Sequence, residues 1–271
     1  AMNMMAVLSA VVFQWGTGVV IDHFPAGPPG VYTTDPRVVE ALIVLLQEYV
    51  DPREIRIAEN AAECHMLEEI GLGSTTMECF EACGLTRVAE RRGVKLAAME
   101  NELHEQVIIP GATLMTHCIV PRTILEADTL IFVPHLKNHM AAGITLCLKL
   151  SQGVIPTSEK KKFHDARLPE KLLDLRRIVR PDLCIVDGLW AMQGQGPTSQ
   201  FPDDVIRDVD LLMAGTNPVA VDTVGAMLMG LDPLNVPVLA LAAEMALEGS
   251  DPRSIELVGV PIDRCARQFR P

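Results

Sequence analysis

Aromatic side chains are scarce in this chain. Phe, Trp and Tyr make up 4% of 271 residues, so the core has to be built from aliphatic side chains and the 13 methionines. Positive charge is short too: 23 Lys and Arg stand against 35 Asp and Glu, a formal net charge of −12. Phosphate backbones attract basic surfaces, which argues against nucleic acid as a partner. An anionic small molecule would have to meet a local basic site within an acidic chain. Long clean apolar runs are missing as well. The opening "AMNMMAVLSAVVFQWGTGVVIDHF" has no Lys or Arg ahead of its apolar part, and Gln14, Gly16, Thr17 and Gly18 interrupt it. A signal peptide has a basic front, and a membrane helix needs about 20 apolar residues. The segment therefore reads as two core strands, or a short helix and a strand, and no membrane partner is expected.

Several catalytic templates are absent. There is no G-x-S-x-G elbow, no Walker P-loop and no G-x-G-x-x-G after a strand. "GQGP" at Gly194–Pro197 is too short for a dinucleotide fingerprint. The seven cysteines are Cys64, Cys79, Cys83, Cys118, Cys147, Cys184 and Cys265. An odd number spread through apolar runs of a long chain fits reduced thiols in a cytoplasmic protein. Cys79 and Cys83 have the i, i+4 spacing of helix packing, and no metal-ligand spacing is completed around them.

What is present is an alternation of strand and helix patterns. "TTDPRVVEALIVLLQEYV" predicts a helix capped by Thr34 or Asp35 with Pro36 in its first turn. "EIRIAEN" reads as a strand over Glu54–Ala58, "TTMECFEACGLTRVAERRG" as helix broken at Gly84, and "VKLAAM" as a strand. "QVIIP" and "LMTHCIV" predict an added strand pair within 94–120. "DTLIFVP" and "DLCIVDG" are continuously apolar, as strands covered on both faces are. "DLLMAGT" predicts a strand, "NPVAVDTVGAMLMG" a helix capped by Asn217, "VPVLALAAEMALEG" a second helix, and "SIELVG" a closing strand. The expected fold is a single α/β domain over 1–271, with a mostly parallel or mixed sheet and helices on both faces.

Ligands of open parallel sheets bind at the carboxyl ends of the strands. "TLIFVP" releases His135, Lys137 and His139; "LCIVDG" releases Asp187 and Gly188; "DLLMAGT" releases Thr216 and Asn217 at a helix start, where N–H groups can take an anion. If these strands are parallel neighbours, all three groups share one rim. The stretch after His139 reads as a helix on which Thr145, Lys149, Ala141, Ala142 and Gln152 share a face. Lys149 could snorkel to water, pair with Asp187 or Asp222, or hold a ligand. Asp222 is a carboxylate on an apolar helix face and wants a cation. "EKKK" at Glu159–Lys162 reads as a solvated loop, and His104 and His117 as structural.

The ordered set "TTDPRVVEAL", "ADTLIFVPHLKNH", "GITLCLKLSQGVIP", "KKKFH", "LCIVDGLWAMQGQGP" and "NPVAVDTVGAMLMG" resembles domain-of-unknown-function family 362, from about Val20 to Gly259. The resemblance implies a bacterial or archaeal protein of unassigned biochemical role. It singles out Lys137, His139, Thr145, Lys149, His164, Asp187, Gly188, Gly196 and Asp222 as motif positions. Some relatives carry a ferredoxin-like module with two four-cysteine clusters, which these 271 residues do not contain. Relatives also show Lys-Pro-Asn near the first strand, where this chain has Asp22 and His23.

Three readings stay open at this level. One is an enzyme: Lys137, Thr145, Lys149, Gly188, Gly196, Asn217 and Asp222 would hold an anionic small molecule, and His139, His164 and Asp187 would do the chemistry. Another is a metal-binding protein using His135, His139, His164 and Asp187. The last is a non-catalytic module working with an iron–sulfur redox partner. The residues name no cofactor, and a homo-oligomer is compatible with all three.

Overall fold

The structure, a computed structural model, describes residues 5–10 (backbone), 33–60, 75–160, 163–196 and 201–270. The altered first-strand positions Asp22 and His23 lie outside the described residues, as does Cys64.

Among the described residues, nine strands form one mixed sheet. Five run parallel in the order β3 (Lys95–Ala98), β2 (Glu54–Glu59), β1 (Met5–Ala10), β6 (Thr129–Val133), β9 (Leu183–Met192). A separate antiparallel pair, β4 (His104–Ile108) with β5 (His117–Pro121), is the strand pair that the sequence predicts. Beyond Pro134 the chain continues along the same edge of β9 as β7 (His135–His139), then reverses into β8 (Gly143–Thr145). On the other edge of β9, β10 (Val205–Ile206) and β11 (Leu211–Gly215) pair antiparallel.

β6 shows why the sheet is covered on both faces. Its side chains alternate, as strand geometry requires. Leu130 and Phe132 enter one core with the helices Leu168–Leu175, Pro218–Leu228 and Pro237–Glu244. Ile131 and Val133 enter a second core with the helices Pro36–Leu45, Thr76–Ala82 and Leu85–Arg92. The fold is thus α/β, with helices on both faces.

Local signals place several boundaries. Asp35 caps its helix by accepting from the Arg37 N–H at 2.8 Å, with Pro36 in the first turn. Gly84 sits at φ +84°, a left-handed conformation that ends one helix and starts the next. Asn217 accepts from the Val219 and Ala220 N–H groups.

Four expectations need correction. The stretch after His139 is a turn and a strand, and helix begins only at Cys147. β9 does not end at Asp187 but runs on to Met192, because Leu211 and its neighbours on β11 extend the ladder. β11 is antiparallel to β9, with Gly215 opposite Cys184, so Asn217 emerges at the rim opposite the carboxyl ends of β2 and β6. "SIELVG" forms no strand: Glu256, Leu257 and Val258 lie exposed without an edge to join.

Candidate functional site

The β7–β8 hairpin brings the first polar groups together. Lys137 stands opposite Thr145, and His139 opposite Gly143, whose φ of +80° lets the turn close. His139 fixes that turn. Its Nδ1 accepts from the Ala141 N–H at 3.0 Å and the Ala142 N–H at 3.2 Å. An Nδ1 that accepts twice leaves Nε2 as the protonated nitrogen of the neutral ring. Asn138 faces away and donates to the Arg270 carbonyl at 2.7 Å. Gly196 packs on the backbone of this hairpin, where a Cβ would come within 2.0 Å of the Asn138 carbonyl oxygen.

The next element is the short helix Cys147–Leu150. Asp222 reaches across from the helix Pro218–Leu228 and accepts from the N–H groups of Cys147 at 2.8 Å and Leu148 at 2.9 Å. Burial pushes this carboxyl up to about 7, against the pull of the two N–H groups. Asp222 therefore serves the backbone; no ion pair joins it to Lys149 among the described residues.

Lys149 is 2% exposed, and its Nζ has no hydrogen-bond partner among the described residues. It does not snorkel to water. Burial, then the charges of Lys160 and Lys137, push it well below the usual lysine range. Lys137 is 1% exposed and is pushed down to about 8 by burial, while the charge of Glu59 pulls the other way. Glu59 ends β2, so the carboxyl rim of the parallel strands supplies a carboxylate acting on Lys137.

Lys160 joins this group, contrary to the reading of "EKKK" as solvated. It is buried, and its Nζ donates to the Asn60 carbonyl at 2.6 Å. Asn60 follows Glu59 and donates in turn to the Ile155 carbonyl at 2.8 Å. His164 Nδ1 lies 3.3 Å from the Lys160 carbonyl and 3.4 Å from Gln152 Nε2. A bond from Nδ1–H to that carbonyl leaves Nε2 as the basic nitrogen. The His139 and His164 rings lie 6.3 Å apart and nearly parallel, with 10° between planes. His139 is pushed down to about 2 by burial, then by Lys149, His164 and Lys137; His164 is lowered by burial and Lys149. Both rings are neutral near pH 7, not poised to titrate there as their type alone suggests.

The structure thus brings Lys137, His139, Thr145, Lys149 and His164 together and adds Glu59, Asn60, Gln152 and Lys160, which sequence reasoning did not assign to the site. The "KKKFH" motif carried a signal for Lys160; Glu59 and Asn60 gave none beyond their place at a strand end. Like Lys149 Nζ, the buried Thr145 Oγ1 and Gln152 Oε1 lack partners among the described residues.

Other candidates fall elsewhere. Asp187 is fully buried in mid-strand. Its oxygens accept from the Asp35 N–H at 2.6 Å and the Leu189 N–H at 3.0 Å, tying β9 to the start of the helix Pro36–Leu45. Its histidine neighbour is His135, with Nδ1 3.6 Å away, not His139 or His164. Gly188 pairs with Leu211, whose carbonyl oxygen would lie 3.0 Å from an added Cβ. The four candidate metal ligands split into two separate pairs, and no group of three or more His, Cys, Asp or Glu among the described residues could hold a metal ion.

Comparison with known proteins agrees with this architecture. The lactate racemase apoprotein of Thermoanaerobacterium thermosaccharolyticum shares the fold at a TM-score of 0.50 and 9% identity, over 84% of this chain and 49% of that one. A thylakoid-associated protein of Synechocystis sp. is 32% identical over 154 residues, which are 51% of this chain and 47% of that protein. The chain thus spans about half the length of the curated relative it matches. No helix of the described residues is long and apolar enough to cross a membrane. Residues 19–227 match the family described as Domain of unknown function (DUF362), and the chain belongs to that family.

Proposed function

We propose that the chain is an enzyme that binds a small anionic metabolite, a carboxylate or a phosphate, between Lys137, Lys149 and Lys160. The observation that carries this reading is the burial of three lysines in one cluster, with Lys149 Nζ lacking any acceptor among the described residues. Buried ammonium groups are costly unless paired. A ligand anion offsets that cost and raises the lysine pKa values again.

The two histidines then take different roles. His139 offers Nε2–H as a neutral donor to a ligand oxygen. His164 offers Nε2 as a proton acceptor. Thr145 and Gln152 orient the ligand through their hydroxyl and amide oxygen. Glu59 limits the net charge beside Lys137. The free cysteines among the described residues, five of them buried, support the proposal of a reducing compartment such as the cytoplasm.

A thermal-shift panel of carboxylates and phosphates tests the reading, with Lys137→Ala as comparison. At least one anion is expected to raise the wild-type melting temperature more than that of the variant. Equal shifts for both proteins across the panel would defeat it.

A further inference from the structure

The three amines of the cluster are not equivalent. Lys160 Nζ donates to the Asn60 carbonyl. Lys137 has the charge of Glu59 acting on it. Lys149 is 2% exposed, and among the described residues its Nζ has no acceptor and feels the repulsive charges of Lys160 and Lys137. Its backbone is fixed from outside the cluster: Asp222 holds the first turn of its helix, and Ser151 Oγ donates to the Leu148 carbonyl at 2.6 Å.

Burial beside two other lysines favours the neutral form of Lys149 in the unliganded site. A neutral amine carries a lone pair, and desolvation beside another cation is how amine nucleophiles are activated. We propose that Lys149 is the covalent residue of this site and forms an imine with the carbonyl carbon of an anionic aldehyde or 2-oxo acid. This rests on the anion-site reading above and narrows its substrate class. Lys137 and Lys160 bind the carboxylate or phosphate of the substrate. Lys149 Nζ forms the C–N bond to the carbonyl carbon. The carbonyl oxygen takes two protons, equal in sum to the two the amine gives up, and leaves as water. His164 relays them through Nε2. No oxidant or reductant takes part.

The test traps the imine. Wild-type protein is incubated near pH 7 with glyoxylate and sodium cyanoborohydride, digested and mapped by mass spectrometry. The expected result is a reduction-dependent adduct on Lys149, about tenfold above that on any other lysine, suppressed by oxalate, which has the charge but no aldehyde or ketone carbon. Lys149→Arg should lose the reduction-dependent mass gain of the intact protein, and an unchanged mass gain in that variant overturns the proposal. If Lys149→Arg does not fold, the wild-type map decides alone. Should oxalate stabilise the wild type while no adduct forms on Lys149, the covalent role is wrong and the anion site stands. Should oxalate and glyoxylate both leave the protein unshifted and unlabelled, the two readings fall together.

Discussion

Asp222 and Cys147, 75 residues apart in sequence, meet where the carboxylate accepts the Cys147 N–H at 2.8 Å. With the second bond to Leu148, this contact sets the direction of the short helix that carries Lys149. A carboxylate that looked like a partner for the lysine side chain instead holds the lysine's backbone.

Replacing Asp222 by Asn leaves one acceptor oxygen and turns an amide N–H₂ toward a backbone donor. A loss of about 1–3 kcal/mol is expected by urea unfolding at pH 5. The difference should depend on pH. The carboxyl rises from 3.8 to about 7 on folding, so its contribution is full below about 4 and is lost as pH rises through about 7. The gap between wild type and Asp222→Asn should narrow over that window; a gap that widens would contradict the burial of this carboxyl.

Lys137 should cost stability at neutral pH in the unliganded protein. Its pKa falls from 10.5 to about 8 on folding. Such a group contributes fully above its unfolded value and loses that contribution as pH falls through about 8. At pH 7 the cost amounts to about 3 kcal/mol. Lys137→Met should therefore be more stable than wild type at pH 7, by an amount that shrinks above pH 10, while its response to anions disappears. Chemical denaturation at the two pH values checks the first part, and thermal shift the second.

His139→Asn separates turn from ligand. The Asn oxygen can take the place of Nδ1 and keep the Ala141 and Ala142 N–H groups satisfied. Nothing replaces the Nε2–H. The variant should lose about 1 kcal/mol or less of stability and about tenfold in anion affinity. A large stability loss with unchanged affinity would assign the ring to structure alone.

The frame of the fold was readable where a local residue dictates a local conformation. Asp35–Pro36, Gly84 and Asn217–Pro218 each mark a helix end by capping or φ, and β6 announces itself by its unbroken apolar run. The direction of β11 was not readable, since a period of two is the same for either direction, and that is why Asn217 was placed on the wrong rim. The hairpin after His139 was also hidden. Its helical appearance came from Leu, Ala and Lys, while the turn depends on a histidine side chain folding back on its own backbone. Within the site, Lys137, His139, Thr145 and Lys149 were visible as polar residues in apolar company, and His164 through the motif "KKKFH". Glu59 and Asn60 were not, because long-range relations make them part of the site: the charge of Glu59 on Lys137 and the hydrogen bond from Lys160 to Asn60, 100 residues away. Asp187 looked catalytic for the same reason that Asp222 looked like an ion-pair partner: a lone buried acid in a strand or helix does not reveal that backbone N–H groups have claimed it.

The most direct test of the central claim is titration calorimetry of oxalate at pH 8.5, in two buffers of different ionisation enthalpy that contain no carboxylate or phosphate. Wild type should bind the anion and take up about one proton per site as the buried amines recharge. Lys137→Met should bind at least about tenfold more weakly, and Lys95→Met, at an exposed position on β3, should match wild type. Oxalate binding without proton uptake, or equal binding by wild type and Lys137→Met, would contradict the account.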